Sequence, residues 1–486
     1  MMNRPLELDV VVIGAGTAGL AAAKSAHAEG ARVAVVDHGP LGTLCARKGC
    51  MPSKAILASA RALDRARRLP SLGIEHTGDP KLDWQQTRAR ERALVDGFVR
   101  SIVENTTSST NFSLVRGKAS FGEDGLLHVD GRFEGADGAE SVLSARGWVV
   151  AAGSLPVVPN VPGLADIPFL ISDDIFDLDA IPKSVAVIGA GAIAVELGQF
   201  LARAGANVHL IGNDDTLAGL GAGDLQDALS EPLTRDLELH LRSKITHIER
   251  HASGITVRLE SSGKTEELHV EKILVAAGRQ PNIASLGLNR MGVQIENGAP
   301  KHDEFLRTTH ENIFVAGDAA GNPAILHVAS RQGTTAGRNA AHPEKLERPV
   351  DDEKLRIVFS DPMVATVGLD PVSAKAEGLD TCVATRRWSE QGRARLMGET
   401  EGMAELTVDC RTRKILGCRI VGAEADVLIH LAAYALRFEA TVDDLLTLPH
   451  YHPTVAEMFP SLAERIVAKL DTSTYVCAVA PSAELQ

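Results

Sequence analysis

An apolar run that leads straight into three glycines constrains the N-terminal part of the chain. Residues 9–13 carry the run, and Gly14, Gly16 and Gly19 follow it. A second apolar run ends on the acidic residue Asp37. A strand, a glycine turn, a helix, a second strand and an acid in this order are typical of a dinucleotide-binding unit. The glycines let the backbone approach a pyrophosphate at a helix N-terminus, and the acid accepts a hydrogen bond from a ribose hydroxyl.

A second unit of the same kind lies further along the chain. Its apolar run, residues 184–188, leads into Gly189 and Gly191, and Ala194 takes the place of the third glycine. Two such units predict an α/β chain with two Rossmann-like domains and two nucleotide cofactors.

The second unit has no acid directly at the end of its second strand, so its coenzyme is inferred from the neighbouring residues. Residues 207–211 form the predicted strand and run into Gly212, and Asp214 and Asp215 follow. No Lys or Arg occurs in residues 204–234, so a 2′-phosphate would lack a local cation, whereas either aspartate offers an acceptor for a free 2′-hydroxyl. We therefore favour NAD over NADP, although the alanine at the third glycine position argues mildly for NADP.

Two cysteines follow the first nucleotide-binding unit closely. Cys45 and Cys50 are five residues apart. In a regular helix five residues turn the chain by roughly 500°, which points the two sulfurs about 140° apart. Gly49 and Pro52 allow the local distortion that would bring the sulfurs together. Residues 53–68 have the composition of a helix, and its N-terminus would favour the Cys50 thiolate that disulfide exchange requires.

The spacing of these cysteines alone leaves other interpretations open. Buried cysteines often serve as small hydrophobic residues with no chemical role. A zinc site is disfavoured, because zinc ligands occur as closely spaced pairs with a second pair elsewhere, and no second pair is found in the sequence. We therefore expect no metal.

The composition bounds the partners and the compartment. The net charge of −13 argues against nucleic acid and against an anionic membrane surface, since both attract a basic face. The first residues lack the order of basic, apolar and small residues that marks a secretory signal. Six cysteines in 486 residues form no disulfide framework, so we expect a reducing, cytoplasmic compartment.

Repeated strand-and-glycine patterns indicate where the chain passes between domains. Gly153 follows one apolar run and Gly278 follows another, and several prolines after Gly153 suggest a crossover. A later apolar run ends in Gly-Asp at Asp318, which on its own would be a helix cap. The predicted domains are a first nucleotide-binding domain over residues 1–152, a second over 153–278, a return to the first over 279–348 and an interface domain over 349–486.

A histidine late in the chain has the neighbours of a general base. His452 precedes Pro453, which is expected to hold it extended and to open a helix. Glu457 would then lie in the first turns of that helix and orient the imidazole. An isolated His-x-His sequence is more often a surface feature.

Together these motifs resemble those of the flavin disulfide reductases over essentially the whole chain, and the dihydrolipoamide dehydrogenases of that family are the most similar. The resemblance implies an FAD-binding and an NAD-binding Rossmann-like domain followed by a C-terminal α+β dimerisation domain. It also implies oxidation of dihydrolipoyl groups to the disulfide, with FAD and NAD as cofactors. The implied partners are a lipoyl-bearing carrier protein or dihydrolipoamide, and a second subunit in a homodimer with shared active sites.

The resemblance assigns roles to the residues around the cysteines. Cys45 is the expected interchange thiol that meets the substrate, and Cys50 is the thiol expected to lie against the flavin. Lys54 is expected to pair with Glu196 near the reactive nitrogen of the flavin.

The resemblance also implies the base and the cofactor contacts. His452, positioned by Glu457 and donated by the other subunit, is the expected base. Asp318 is expected to bind the ribityl chain of FAD. The expected cofactor-binding residues are Gly14, Gly16, Gly19, Asp37, Thr43, Lys54, Gly153, Gly189, Gly191, Gly278 and Asp318.

The sequence departs from the family pattern just before the first cysteine. The family usually has Gly-Gly-Thr there, whereas this chain has Gly42, Thr43 and Leu44. A threonine contact with the flavin phosphates would therefore shift to Thr43.

Other enzymes of this type use the same framework differently. Reductases of the glutathione-reductase type read NADPH with basic residues in the second unit, which the local sequence lacks. Mercuric reductases end in a vicinal cysteine pair, where this chain has Cys477 alone. A purely structural flavoprotein subunit is less favoured, because the redox pair, the base and both nucleotide units occur together. The carrier protein, the physiological direction and the roles of Cys382, Cys410 and Cys418 stay open.

Overall fold

The chain forms two parallel sheets and one antiparallel sheet of similar size, each with its own core. The structure, a computed structural model, describes residues 5–75, 78–133, 141–321, 324–350 and 354–478, with side chains as far as Asp471.

The strands of the described residues vary from two to ten residues in length. They are β1 (Leu6–Ile13), β2 (Val33–Asp37), β3 (Ser113–Phe121), β4 (Leu127–Phe133), β5 (Ser141–Val150), β6 (Ser154–Pro156), β7 (Leu170–Ile171), β8 (Ser184–Ile188), β9 (Asn207–Ile211), β10 (Glu238–His240), β11 (Lys244–His251), β12 (Gly254–Ser261), β13 (Lys264–Val270), β14 (Lys272–Val275), β15 (Arg279–Pro281), β16 (Ile295–Glu296), β17 (Ala299–Pro300), β18 (Ile313–Val315), β19 (Arg356–Val358), β20 (Met363–Gly368), β21 (Thr381–Arg387), β22 (Met403–Asp409) and β23 (Ile415–Gly422).

The α-helices lie between these strands and at the end of the described chain. They are α1 (Thr17–Ala28), α2 (Leu44–Lys48), α3 (Cys50–Arg68), α4 (Trp84–Thr107), α5 (Ala192–Arg203), α6 (Asp224–Leu233), α7 (Leu326–Ala341), α8 (Pro371–Ala376), α9 (Gly392–Met397), α10 (Ala425–Arg437), α11 (Val442–Thr447) and α12 (Met458–Ala478).

The first sheet has a parallel centre in the order β3-β2-β1-β5-β18, and β4 runs antiparallel to β3 and β5. Parallel strands are covered on both faces, which explains the apolar runs of β1 and β2. Val10, Val11 and Val12 are fully buried, and Val10 pairs with Val33 across the two strands. The glycine turn after β1 therefore lies at the carboxyl edge of the sheet, where ligands bind in folds of this type.

Helices α1 and α7 touch along one face of the first sheet. A Cβ on Gly333 would lie 2.1 Å from the carbonyl oxygen of Ala18, and one on Gly337 would lie 2.2 Å from that of Ala22. Glycines one turn apart on α7 thus let the two helix backbones meet. This contact fixes the returning segment of the chain against the N-terminal nucleotide unit.

The second sheet repeats the first in the order β10-β9-β8-β14-β7, with all its strands parallel. Helices α5 and α6 pack on one face. The antiparallel strands β11, β12 and β13 cover the other face, where Val257 packs in one core with Ile188 and Ile211. Both nucleotide units predicted from the sequence therefore have the same architecture.

Two short strands link the parallel sheets. Strand β6 pairs with β15 in antiparallel fashion, with Leu155 opposite Gln280. Each strand follows a glycine with positive φ, which is 72° at Gly153 and 111° at Gly278. Such a backbone conformation favours glycine, and the two residues lie at the predicted passages between the domains.

The C-terminal sheet has the order β19-β20-β23-β22-β21 and is antiparallel throughout. Helices α10 and α12 pack on it around buried residues that include Trp388, Leu406 and Ile420. The predicted α/β class, with two Rossmann-like domains and a C-terminal α+β domain, is confirmed.

The helix after His452 begins later than predicted. Its first turn is the 3-10 helix Val455–Glu457, and α12 follows from Met458. The prediction that Pro453 opens the helix is wrong, because the backbone N–H of Thr454 donates to Glu457 Oε2 at 3.0 Å and caps the turn from that position.

Replacing Gly333 with alanine should push α7 away from α1. The overlap with the Ala18 oxygen should lower the free energy of unfolding by about 1–3 kcal/mol and lower the thermal unfolding midpoint of the holoprotein. Gly97→Ala is the matched control, because a Cβ at this helical position has no atom within 4 Å and should be neutral or stabilising by up to about 1 kcal/mol. Equal midpoints for both variants would contradict the close contact.

Candidate functional site

A cavity of about 290 Å³ opens between the first glycine turn, the helices α2 and α3, and the helix α5. It lies at the carboxyl ends of the parallel strands β1 and β5. Its lining brings together the predicted site residues Gly16, Cys45, Cys50, Lys54, Gly153, Glu196 and Asp318.

The two cysteines lie on either side of a helix break. Helix α2 ends at Lys48 and α3 begins at Cys50, with Gly49 between them at φ −117° and ψ −116°. A Cβ on Gly49 would lie only 3.0 Å from the Cα of Cys45, so glycine allows the break. The break brings the two thiols into an interaction that a continuous helix would prevent. Pro52 lies inside the first turn of α3 and takes no part in the break.

The two thiols differ strongly in acidity. The hydrogen bond from the Cys45 thiol lowers the pKa of Cys50 to about 6, and the charge of Lys54 acts in the same direction against the effect of burial. The same contact, together with burial, raises the pKa of Cys45 well above its usual range. At neutral pH the reduced pair is therefore a Cys50 thiolate and a Cys45 thiol.

A buried carboxylate lies beside this pair. Glu196 is only 5% exposed. Its Oε2 accepts from Lys54 Nζ at 2.8 Å, and its Oε1 accepts from the backbone N–H of Phe359 at 2.8 Å. The Lys54 ammonium also lies 4.8 Å from the centre of the Phe359 ring. Both carboxylate oxygens are thus paired, which is the condition for burying such a group.

The first glycine turn is closed at two positions and open at the third. A Cβ on Gly14 would lie 2.3 Å from the Ala151 oxygen, and one on Gly19 would lie 1.8 Å from the Gly14 oxygen. A Cβ on Gly16 would meet no atom within 4 Å. The N-terminus of α1 has no side-chain cap at this point. The open space and the free backbone N–H groups fit the pyrophosphate of FAD.

Asp37 lies at the end of β2 and holds the turn in place. Its Oδ2 accepts from the backbone N–H of Ala15 at 2.7 Å, and its Oδ1 accepts from that of Gly39 at 2.5 Å. Each carboxylate oxygen keeps a second lone pair. The side chain therefore combines a structural contact with the capacity to accept from a ribose hydroxyl.

The second glycine turn has the same form. A Cβ on Gly189 would lie 2.3 Å from the Ala276 oxygen, whereas one on Gly191 would meet no atom within 4 Å. Helix α5 begins there without a side-chain cap. Ala194 is fully buried, so this helix stands far enough from the turn to accept a methyl group. The donor set fits a second pyrophosphate.

The loop after β9 lies beside the guanidinium of Arg242, which is outside the sequence window used to predict the coenzyme. Arg242 Nη2 donates to Asp215 Oδ2 at 2.6 Å, and the backbone N–H of Arg242 donates to the Asp214 carbonyl at 2.8 Å. Arg242 follows β10, which pairs in parallel with β9. The prediction that this site lacks a cation is therefore wrong, and the preference for NAD loses that support.

Asp318 lies in the 3-10 helix Gly317–Ala320 at the cavity wall. Its Oδ2 accepts from the Ser154 hydroxyl at 2.6 Å. Arg279 donates to both the hydroxyl and the carbonyl of Ser154 at 2.8 Å. The sequence analysis missed this chain of contacts, because Ser154 and Arg279 lie in the two crossover strands and carry no motif of their own.

Several of the predicted cofactor contacts do not line this cavity, and two of them lie outside the glycine turns and Asp37. Thr43 and Gly278 are not among the described residues that line it. Thr43 Oγ1 instead accepts from the backbone N–H of Ala46 at 3.2 Å, with the unusual φ of 58°. Thr43 therefore caps the cysteine helix α2, and its contact with the flavin phosphates stays a prediction. Gly278 lies beyond the carboxyl end of β14, on the side of the second nucleotide turn.

His452 is held by a carboxylate on the C-terminal domain. Its Nδ1 lies 3.0 Å from Glu457 Oε1, and Glu457 Oε2 accepts from the Thr454 backbone. These two hydrogen bonds lower the pKa of Glu457 and keep it charged. With Nδ1–H donating to the carboxylate, Nε2 is the basic nitrogen. The imidazole is 80% exposed and is not part of the described lining of the cavity in its own chain.

The remaining cysteines belong to the C-terminal domain. Cys382 lies on β21 and Cys410 directly follows β22, with their sulfurs 2.6 Å apart, and burial raises the pKa of Cys418 to about 12. These three do not line the cavity. Cys477 lies in the last turns of α12, where side chains fall outside the described residues.

Comparisons with known proteins decide the family. Residues 8–333 match the family described as pyridine nucleotide-disulphide oxidoreductase, and residues 355–463 match the dimerisation domain of that family. The chain belongs to this family. It is an FAD-containing oxidoreductase with a disulfide redox centre that uses a pyridine nucleotide, and its dimerisation domain supports a homodimer.

Relatives within the family have two different activities. A mercuric reductase of Staphylococcus aureus is 31% identical over 94% of this chain and 82% of its own length. A dihydrolipoyl dehydrogenase of Geobacillus stearothermophilus is 30% identical over 94% of this chain and 96% of its own, and one of Chlamydia muridarum is 31% identical over 96% and 98%. These similarities leave the substrate undecided.

The fold is also that of a solved family structure. The HOCl-induced flavoprotein disulfide reductase RclA of Escherichia coli superposes with a TM-score of 0.80 and 22% identity, covering 94% of this chain and 99% of that one. At this identity the likeness concerns the fold alone. None of the described helices combines the length and the apolar character that a membrane crossing needs.

Lys54→Met should weaken the Cys50 thiolate. Loss of the ammonium removes one of the causes that hold the pKa of Cys50 at about 6, so this pKa should rise and less thiolate should remain at neutral pH. The measurement is the long-wavelength thiolate–flavin absorption of the two-electron-reduced holoenzyme, titrated with pH. Its midpoint should move to higher pH in the variant.

Lys48→Met is the control for this titration. Lys48 also lines the cavity, but its ammonium pairs with Asp177 and is not among the causes that shift the pKa of Cys50. The midpoint of this variant should match that of the unchanged protein. If the midpoint of Lys54→Met also matched that of the unchanged protein, Lys54 would not be a cause of the Cys50 thiolate's stability.

Proposed function

We propose that the chain is a dihydrolipoyl dehydrogenase, which oxidises protein-bound dihydrolipoyl groups to the disulfide and passes hydride to NAD. The observation that carries this proposal is the pairing of His452 Nδ1 with Glu457 at 3.0 Å, which leaves Nε2 exposed. Oxidation of a dithiol requires the removal of two protons, and an imidazole with an exposed basic nitrogen is suited to accept them. A metal-ion substrate brings no such protons.

The thiol chemistry follows from the asymmetry of the cysteine pair. His452 of the partner subunit takes a proton from one substrate thiol, and the resulting thiolate attacks the sulfur of Cys45 in the oxidised Cys45–Cys50 disulfide. The disulfide bond breaks, and Cys50 leaves as the thiolate that its low pKa stabilises. The second substrate thiol, deprotonated in turn, attacks the substrate sulfur of the mixed disulfide and releases Cys45. The substrate has then lost two electrons and two protons.

The nucleotide turns supply the rest of the electron path. FAD held in this cavity would supply a two-electron relay between the cysteine pair and a pyridine nucleotide. Gly16 and the N-terminus of α1 would hold its pyrophosphate, and Asp318 would accept from its ribityl hydroxyls. Gly191 and the N-terminus of α5 would hold the pyrophosphate of NAD. Lys54, fixed by Glu196, keeps Cys50 ionised at the wall of the cavity.

An exposed apolar face supports an active site shared between two subunits. Tyr434, Phe438 and Leu448 are 65%, 77% and 55% exposed and line a groove of about 310 Å³ together with His450. Large apolar side chains in such exposed clusters are typical of protein interfaces. A partner subunit that covers this groove would lie next to the segment that carries His452. This position suits a base that acts in the active site of the other subunit.

The charges beside Gly212 support NAD as the coenzyme. Arg242 is paired with Asp215. Asp214 Oδ1 accepts from the Thr216 backbone, and its second oxygen remains available for a ribose hydroxyl. Two carboxylates against one guanidinium leave this loop negative, which disfavours the 2′-phosphate of NADP.

A mercuric reductase is the second candidate, because the relative from Staphylococcus aureus is as similar as the dihydrolipoyl dehydrogenases. No two cysteines are adjacent in the sequence, so it lacks the vicinal pair of that enzyme type. Among the described side chains, the thiols of the cavity are those of Cys45 and Cys50. Among these described thiols, a soft metal ion in the cavity would meet the redox pair itself.

Anaerobic turnover of the purified flavoprotein tests the proposal. With dihydrolipoamide as the donor, NAD should be reduced at least about tenfold faster than NADP, an excess of about 1.4 kcal/mol in transition-state stabilisation. Parallel assays should offer NADPH with mercuric ion and NADPH with glutathione disulfide. Fast reduction of either substrate, with no turnover of dihydrolipoamide, would replace the proposal by the corresponding reductase.

His452→Gln should separate thiol exchange from hydride transfer. The glutamine cannot accept a proton, so the reduction of the flavin by dihydrolipoamide should slow by about 10²–10⁴-fold. Reduction of the flavin by NADH should change little, because that step involves no thiol proton. His450→Gln, with the dimer verified, is the control two residues away and should retain both half-reactions. Equal loss of both half-reactions in His452→Gln would argue against a base.

A further inference from the structure

Two histidines meet between neighbouring strands of the second nucleotide domain. His209 lies on β9 and His240 on β10, which pair in parallel. His209 Nδ1 is 3.2 Å from His240 Nε2 and 3.4 Å from the Oε2 of Glu238, which lies on β10 as well. The three donor atoms all lie within 4.8 Å of one another.

The spacing of these atoms matches the ligands of a tetrahedral metal ion. Bonds of about 2.0–2.1 Å from zinc to nitrogen or oxygen place tetrahedral ligand atoms about 3.3–3.4 Å apart. The observed separations of 3.2 and 3.4 Å are close to that edge length. Two of the three ligand separations thus suit one ion, and the third is within 4.8 Å.

Each imidazole has a further polar neighbour on its other nitrogen. His240 Nδ1 lies 3.5 Å from Glu266 Oε2 on β13. His209 Nε2 lies 3.4 Å from the side-chain amide of Asn207. Metal-binding histidines characteristically donate their second N–H to a carboxylate or amide oxygen, which fixes the ring and the tautomer. His240 and Glu266 show that arrangement, whereas the Asn207 atom that faces His209 is the amide nitrogen.

Charge and access also suit a cation. Glu238 and Glu266 bring two carboxylates beside the two imidazoles. The side chains of His209 and His240 are only 10% and 13% exposed, whereas that of Glu238 is 59% exposed. The two nitrogens are thus fixed inside the protein. The carboxylate faces solvent, on the side from which a water ligand would reach the ion.

We propose that His209, Glu238 and His240 bind a divalent transition metal of the zinc type, with water as the fourth ligand. Metal binding needs both facing nitrogens unprotonated, so the hydrogen that they otherwise share moves to the other nitrogen of its own ring and both imidazoles stay neutral. The sequence analysis expected no metal, because two of the ligands lie 31 positions apart and meet only through the pairing of β9 with β10.

A metal at this site would link the edge strand β10 to β9, next to the loop that follows β9. Strand β10 has three residues and lies at the edge of the second sheet. The carbonyl of His240 accepts from the backbone N–H of Gly212, and Arg242 follows two residues later. A metal held across β9 and β10 would therefore stabilise the segment that carries Arg242.

Zinc titration of the holoenzyme with its catalytic disulfide oxidised tests the proposal, because the Cys45 and Cys50 thiols then cannot compete. Calorimetry after chelator treatment should show one tight site. His209→Ala and His240→Ala should each abolish this site, and Glu266→Gln should weaken it about tenfold or more.

His251→Ala is the matched control. His251 faces Glu249 on β11, an exposed histidine and glutamate with no second imidazole. This variant should leave the affinity unchanged. Zinc binding that survives both His209→Ala and His240→Ala would place the metal elsewhere and overturn the proposal.

The visible absorption of bound cobalt(II) tests the same site without a variant. In the unchanged protein, a tetrahedral site of two nitrogens and oxygens should give intense visible absorption without sulfur-to-cobalt bands, and one equivalent of zinc should remove it. The weak spectrum of octahedral cobalt, or bands from thiolate ligands such as Cys382 and Cys410, would overturn the assignment.

Discussion

One buried carboxylate links the three domains at the redox centre. Glu196 lies on the helix of the second nucleotide turn, and its two oxygens accept from Lys54 on the cysteine helix and from the backbone of Phe359 at the start of the C-terminal domain. A carboxylate this deeply buried is tolerated because both oxygens are paired. Its contacts therefore fix the domains relative to one another at the place where electrons pass between the two nucleotide sites.

The break between α2 and α3 makes the two cysteines chemically different. Gly49 turns the chain so that one thiol donates to the other, and the pKa values of Cys45 and Cys50 move in opposite directions. An incoming thiolate then has a preferred target, because the sulfur with the lower pKa is the better leaving group. In the proposed reaction, local backbone geometry would thus determine the order of the chemical steps before any substrate binds.

Local pattern was enough to predict the nucleotide units and the cysteine helix. The apolar runs of β1 and β8, the glycine turns after them and the helix from Cys50 are all encoded within short windows. The role of Thr43 could not be predicted, because its capping of α2 depends on a backbone conformation that is rare for threonine. The contacts of Ser154 with Arg279 and of Glu196 with Phe359 join residues more than a hundred positions apart, and no local motif marks them.

The loop after β9 shows why a sequence window misjudges the charge at a parallel sheet edge. In such a sheet the carboxyl end of each strand lies beside the end of its neighbour, so a side chain after β10 faces the loop after β9. Arg242 enters the loop in this way, and the pairing of His209 with His240 arises from the same two strands. Strand β10 therefore contributes both to the charge that the coenzyme meets and to the histidine cluster. A change in this short strand is expected to alter both features together.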